Sequence, residues 1–146
     1  MIPRSEIDAR INRLQDRMGE LTGAILFEST DLGYFSGTAQ EGLIYVPREG
    51  QPTLMIKKSQ ERARQESPLP VQPQKSQKSL KTDLDLPAGA RIGLEMDVLP
   101  YNNYARLAKA LGEDVIFSDI SENIKHIRSV KSDFEIRLIR EAARIL

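Results

Sequence analysis

The stretch RIGLEMDVLPYNNYARLAKALGEDVIF, Arg91 to Phe117, decides the fold class. From Arg91 to Met96, Ile92 and Leu94 alternate with small or charged residues, the period-two pattern of a strand. Pro100 then precedes Tyr101, Tyr104, Leu107, Ala108 and Leu111, which recur at helical spacing until Gly112 closes the pattern. Val115, Ile116 and Phe117 form a second short apolar run. Strand, helix and strand in that order and at that spacing describe a right-handed crossover between parallel strands. The second half of the chain is therefore α/β.

Toward the amino terminus, Ala24 to Phe27 is an apolar run too brief for a helix, which suits a strand buried on both faces. Gly42 to Val46 and Thr53 to Ile56 read as two strands of a β-hairpin turning around Gly50. Between them and the first strand, Ser29 to Gly37 looks turn-like. Upstream, Ser5 and Asp8 resemble a helix start, with Ile7, Ile11, Leu14, Met18 and Leu21 as the apolar stripe. Ser59 to Gln65 predicts a polar surface helix. A stretch rich in Pro and Lys follows, with one strand turn at Leu69 to Val71 and a short helix anchored by Leu80, Leu84 and Leu86. The sum is a central mixed sheet of about five or six strands flanked by helices.

Toward the carboxyl terminus the pattern is helical from Ser118, with Ile120, Ile124 and Ile127 on one face and a break at Ser129 to Ser132. Ser132 and Glu135 have the spacing of a capping box, opening a helix with Ile136, Ile139, Ala143 and Leu146 on its stripe. No capping residue follows Leu146, so the natural protein is expected to continue. The expected division is an α/β domain over residues 1–128 and, over 129–146, a linker that begins a helix leading elsewhere.

Lys plus Arg and Asp plus Glu each total 21 in 146 residues, so no excess positive charge favours nucleic acid or an anionic membrane. Cysteine is absent, which excludes disulfides, thiolate metal sites and a cysteine nucleophile, and fits a cytoplasmic setting. The first twenty residues are too charged for a signal peptide, and no apolar run approaches the ~20 residues that span a bilayer.

The lone histidine, His126, rules out a multi-histidine metal cluster and fits a surface or half-buried structural role. No serine lies in a nucleophile-elbow setting, and no glycine-rich phosphate loop is present. The acids are more informative. Glu28 and Asp31 follow the first strand, and Glu95 and Asp97 end the later one, where open α/β sheets place ligands. If the strands are neighbours, the four could hold Mg²⁺ for phosphoryl transfer in a stand-alone nuclease-like domain. Alternatively these acids cap turns and helices.

Two stretches carry a resemblance. Asp31-Leu-Gly-Tyr-Phe-Ser-Gly37 and Ile127-Arg-Ser-Val-Lys-Ser-Asp-Phe-Glu-Ile136, the latter with Arg128, Lys131, Ser132 and Glu135 at the matching places, resemble the amino-terminal domain and linker of the creatinase/prolidase (Xaa-Pro peptidase) metallopeptidases. Arg91 to Glu95 is similar to a strand of the same domain. The resemblance implies a ribonuclease H-like fold and an auxiliary domain without catalytic residues. It also implies a separate carboxy-terminal catalytic domain carrying two divalent ions of the Mn, Co or Zn type, and a homodimeric parent that cleaves Xaa-Pro bonds. It places Asp31, Tyr34 and Phe35 near the substrate cleft. A stand-alone interaction module is the remaining alternative.

Overall fold

The computed structural model describes residues 1–145. In chain order the elements are α1 (Arg4–Gln15), β1 (Gly23–Leu26), α2 (Ser29–Ser36), β2 (Gly42–Pro47), β3 (Thr53–Ile56), α3 (Gln60–Glu66), β4 (Val71–Pro73), α4 (Leu80–Asp83), β5 (Arg91–Leu94), α5 (Tyr101–Leu111), β6 (Ile116–Asp119), α6 (Ser121–Ser129) and α7 (Asp133–Ile145). A 3-10 turn at Gln77–Ser79 leads into α4. The six strands form one mixed sheet in the order β4-β3-β2-β1-β5-β6. The hairpin β2–β3 is antiparallel, as is β1–β2, whereas β1–β5, β5–β6 and β3–β4 are parallel.

Alternation along the strands sorts the core into two layers. Ala24, Leu26, Ile44, Val46, Leu54 and Ile56 point to the face covered by α1, α2, α3 and α6. Ile25, Leu43, Tyr45, Met55, Ile92 and Leu94 point to the face covered by α4 and α5. Every residue of β1 is buried, which is why its sequence is apolar without alternation. The hairpin strands approach closely at Gly42, where a Cβ would stand 2.1 Å from the Met55 carbonyl oxygen, so no larger residue fits there.

Three local expectations are corrected. Ser29 to Gly37 is a helix with one end residue, not a turn. The Glu28 carboxylate accepts from the backbone N–H groups of Thr30 (2.9 Å) and Asp31 (3.2 Å), and Gly37 closes the helix at φ +85° with its N–H on Gly33 O. Its low-propensity residues hide a stripe of Leu32, Phe35 and Ser36 that only the core reveals. Helix α1 starts at Arg4 behind Pro3 without a side-chain cap and ends at Gln15, so Met18 and Leu21 reach the core from the turn that follows it. Finally, Ser118 and Asp119 belong to β6, pairing with Gly93 and Leu94, and α6 begins only at Ser121. Among the described residues no helix is long and apolar enough to cross a membrane.

Candidate functional site at the carboxyl ends of the parallel strands

Strands β1 and β5 are parallel neighbours, yet the chain leaves them in opposite directions. After β1 it enters α2 on one face, and after β5 it enters α5 on the other. That divergence is a topological switch point, and it opens a crevice at the carboxyl ends of the two strands. Glu28, Asp31 and Glu95 stand there, and a cavity of about 110 Å³ lined by Phe27, Glu28, Glu95, Val98, Leu99 and Asn103 lies among them.

Each acid has a different task. Burial pushes Glu28 up, but the Thr30 and Asp31 N–H groups and the Ser29 and Thr30 hydroxyls outweigh it and hold the carboxyl below its usual value. Glu28 is therefore an ionised helix cap. Asp31 is 1% exposed and accepts a hydrogen bond from Arg128 Nη1 at 3.1 Å. Glu95, 8% exposed, is pushed up to about 8, first by burial and then by the neighbouring Asp31 carboxylate, with Arg128 pulling the other way. At neutral pH it carries a proton. Its Oε2 is buried and receives no hydrogen bond. Asp97 is ion-paired with Lys125 on α6, while its backbone N–H donates to Ser121 Oγ at 3.1 Å. Among the described residues no group of three or more acidic or histidine side chains is set to hold a metal ion. His126 is exposed.

The linker residues Ser132 and Glu135 converge on α1. Ser132 N donates to Glu135 Oε2 (2.9 Å) and Glu135 N donates to Ser132 Oγ (3.2 Å), the reciprocal pair that their spacing predicts. Ser132 Oγ also donates to Glu6 Oε1 at 2.8 Å, which ties the start of α7 to α1. Lys131 Nζ donates to the Arg128 carbonyl. At the middle of this network stands Arg10, 3% exposed. Its Nε donates to Glu6 (3.0 Å) and its Nη1 to Tyr34 O (2.8 Å), its Nη2 lies 3.8 Å from Glu135 Oε1, and its guanidinium stacks 4.1 Å from the Tyr34 ring centroid.

Tyr34 is half-buried, its hydroxyl accepting from Arg13 at 3.2 Å, and burial pushes that hydroxyl's pKa up. Phe35 lies fully buried in the core, edge-on to Tyr34 at 4.9 Å. The structure thus joins Asp31 to Arg128 across 97 residues, and joins Ser132 and Glu135 to α1 through Glu6 and Arg10. Sequence reasoning passed over Arg10 and Glu6. Their signal was legible: an i,i+4 acid–base pair with the arginine falling between Ile7, Ile11 and Leu14 on the apolar stripe.

The chain is similar to several solved structures. The prolidase from Pyrococcus horikoshii superposes with a TM-score of 0.78 at 24% identity, covering 94% of this chain and 40% of that one. The prolidase from Pyrococcus furiosus gives 0.77 at 26% identity, covering 92% and 42%. The N-terminal domain of the cytoplasmic peptidase PepQ from Mycobacterium tuberculosis gives 0.68 at 18% identity, covering 82% of this chain and 98% of that one. This chain accordingly spans about two fifths of the length of the Pyrococcus prolidases and nearly the whole of an isolated amino-terminal domain. No curated protein matches it. Residues 10–130, most of the chain and most of its six-stranded mixed sheet, match the Creatinase/Prolidase N-terminal domain, and this chain belongs to that family.

Proposed function

We propose that this chain is the non-catalytic amino-terminal domain of an Xaa-Pro dipeptidase or aminopeptidase-like metallopeptidase of the cytoplasm. Its task is to orient a carboxy-terminal catalytic domain, support homodimer formation and shape substrate access. The family match over residues 10–130, with coverage of two fifths of the prolidases it resembles, carries this reading. The hydrolytic chemistry, with two divalent ions of the Mn, Co or Zn type activating water, belongs to the other domain.

The linker network supports the orienting task. Ser132 and Glu135 fasten the first turn of α7 to Glu6 and Arg10 on α1, and Arg128 at the end of α6 pairs with Asp31 on α2, so these contacts set the direction in which the chain leaves the domain. Beyond that turn α7 buries no residue, and Leu138, Ile139 and Ile145 stand exposed on it at helical spacing. A further domain packed on that stripe accounts for an apolar face that water alone would not favour. Asp31, Tyr34 and Phe35 act in this scheme by positioning α2 beside the cleft.

The test is hydrolysis of Xaa-Pro dipeptides supplied with Mn²⁺, Co²⁺ or Zn²⁺. The purified 146-residue chain is expected to give no turnover, whereas the longer protein that contains it hydrolyses them. Turnover by the pure short chain would overturn the auxiliary assignment.

A further inference from the structure

The crevice acids and the linker share one cation. Asp31, in the first turn of α2, and Glu95, just past β5, are both buried and hydrogen-bonded to one another, which takes a proton between two carboxyl groups. Arg128 reaches this pair by donating from Nη1 to Asp31 Oδ1 at 3.1 Å. It is the penultimate residue of α6, and its carbonyl accepts from Lys131 Nζ, so the place of Arg128 is tied to that of the linker.

Three charged groups act on Glu95. Asp31 and Glu28 oppose a second negative charge there, whereas Arg128 favours one. The neighbouring charges are engaged elsewhere: Asp97 is ion-paired with Lys125, and Asp119 accepts from Ser121 and from the Met96 N–H. From α5 the cavity receives Asn103, which carries no charge. Arg128 has freedom to respond, because its side chain is about two fifths exposed and Asp31 is its one ion-pair partner among the described residues. It can stand on the acid pair or in water. The pair carries one negative charge with its proton and two without it, so loss of the proton draws the guanidinium inward. By reciprocity, a guanidinium that stands inward eases the proton off Glu95.

We propose that Asp31, Glu95 and Arg128 form a proton-operated catch on the linker, slack while the two acids share a proton and tight once Glu95 gives it up. The proton leaves in the weakly alkaline range, because burial and Asp31 push the Glu95 carboxyl up to about 8. A rise from pH 6 to pH 9 therefore strengthens the hold on the end of α6. That the tightened linker aims a catalytic domain rests on the auxiliary assignment above. The catch itself belongs to this chain and is tested on this chain, so its failure would leave that assignment standing.

The test is a double-mutant cycle on the 146-residue chain, by urea denaturation at pH 6 and pH 9, with the Glu95 carboxyl followed by carbon-13 NMR. Arg128→Gln is expected to raise the Glu95 midpoint by about half a unit or more, and to raise the unfolding equilibrium constant roughly three-fold or more further at pH 9 than at pH 6. In a Glu95→Gln background that difference between the two pH values is expected to vanish. His126, two residues before Arg128, is common to both backgrounds and cancels. Arg128→Lys, which keeps the charge, is expected to restore part of the difference. Amide exchange at Ser129 to Ser132, corrected for its intrinsic pH dependence, is expected to slow between pH 6 and pH 9 in the unaltered chain and not in Glu95→Gln. An equal cost of Arg128→Gln at both pH values, a Glu95 midpoint that stays put in that variant, or linker exchange with the same pH dependence in Glu95→Gln would each overturn the catch. Should Glu95→Gln not fold, the midpoint in Arg128→Gln decides alone.

Discussion

A buried carboxyl that keeps its proton at neutral pH makes the fold weaker as the pH climbs. Glu95 titrates near 8 in the folded chain, against an ordinary value of 4.5. Between those two values the folded state binds more protons than the unfolded one, so stability falls with rising pH. The contribution is fully present below pH 4.5 and is lost by about pH 8, at roughly 1.4 kcal/mol for each unit of separation at most. Thermal denaturation from pH 5 to pH 8 is expected to show a falling Tm that flattens in Glu95→Gln. A slope unchanged by the substitution would place the titrating group elsewhere. Arg128 offers a second test. Asp31 is 1% exposed and Arg128 about two fifths exposed, so Arg128→Ala leaves a buried carboxylate without its cation. Solvent access to the guanidinium lowers the cost from that of a fully buried pair to about 2 kcal/mol. Urea denaturation measures it, and a loss within error of zero would mean that Asp31 is held by other groups.

At the scale of the element, α7 depends on its first turn. It buries no residue along its length, so the Ser132–Glu135 capping pair and the bond from Ser132 to Glu6 hold it to the domain. Ser132→Ala is expected to cost about 1 kcal/mol in the capping turn. Hydrogen exchange is expected to quicken at Phe134 to Ile136 with little change in β1 or β5. Uniform quickening across the sheet would mean that the pair stabilises the whole domain instead. The element scale also shows what a sequence hides. The capping box of α7 was legible because both its members lie in one short stretch. Helix α2 was not, because its cap is a glutamate reaching forward from the end of β1, and its residues Ser29, Thr30 and Gly33 favour turns. What makes α2 a helix is Leu32 and Phe35 entering a core assembled from distant strands.

For the whole molecule, the apolar stripe on α7 separates two kinds of surface. Leu138 and Ile139 are about half exposed, so Leu138→Glu is expected to leave stability within about 0.5 kcal/mol. Size-exclusion chromatography of the isolated chain is expected to show less self-association in the variant. Under the proposed arrangement, with a catalytic domain packed on this stripe, the same substitution is expected to weaken that docking, read as a separate, earlier unfolding transition. If neither the chromatogram nor the unfolding profile changes, the stripe is simply solvated.

The sequence by itself determined the class of fold, because strand and helix periods are local properties that any buried face imposes on its own segment. It also determined the capping of α7 and the family, since both are written in contiguous motifs such as Arg128 to Ile136. The tertiary structure alone decided the site. Sheet order set β1 beside β5 and sent α2 and α5 to opposite faces, which brought Asp31 to Glu95 and to Arg128 and left Asp97 with Lys125. The charge state of Glu95 follows from that juxtaposition. It depends on burial and on a carboxylate 64 positions away in the chain, and no local pattern records either.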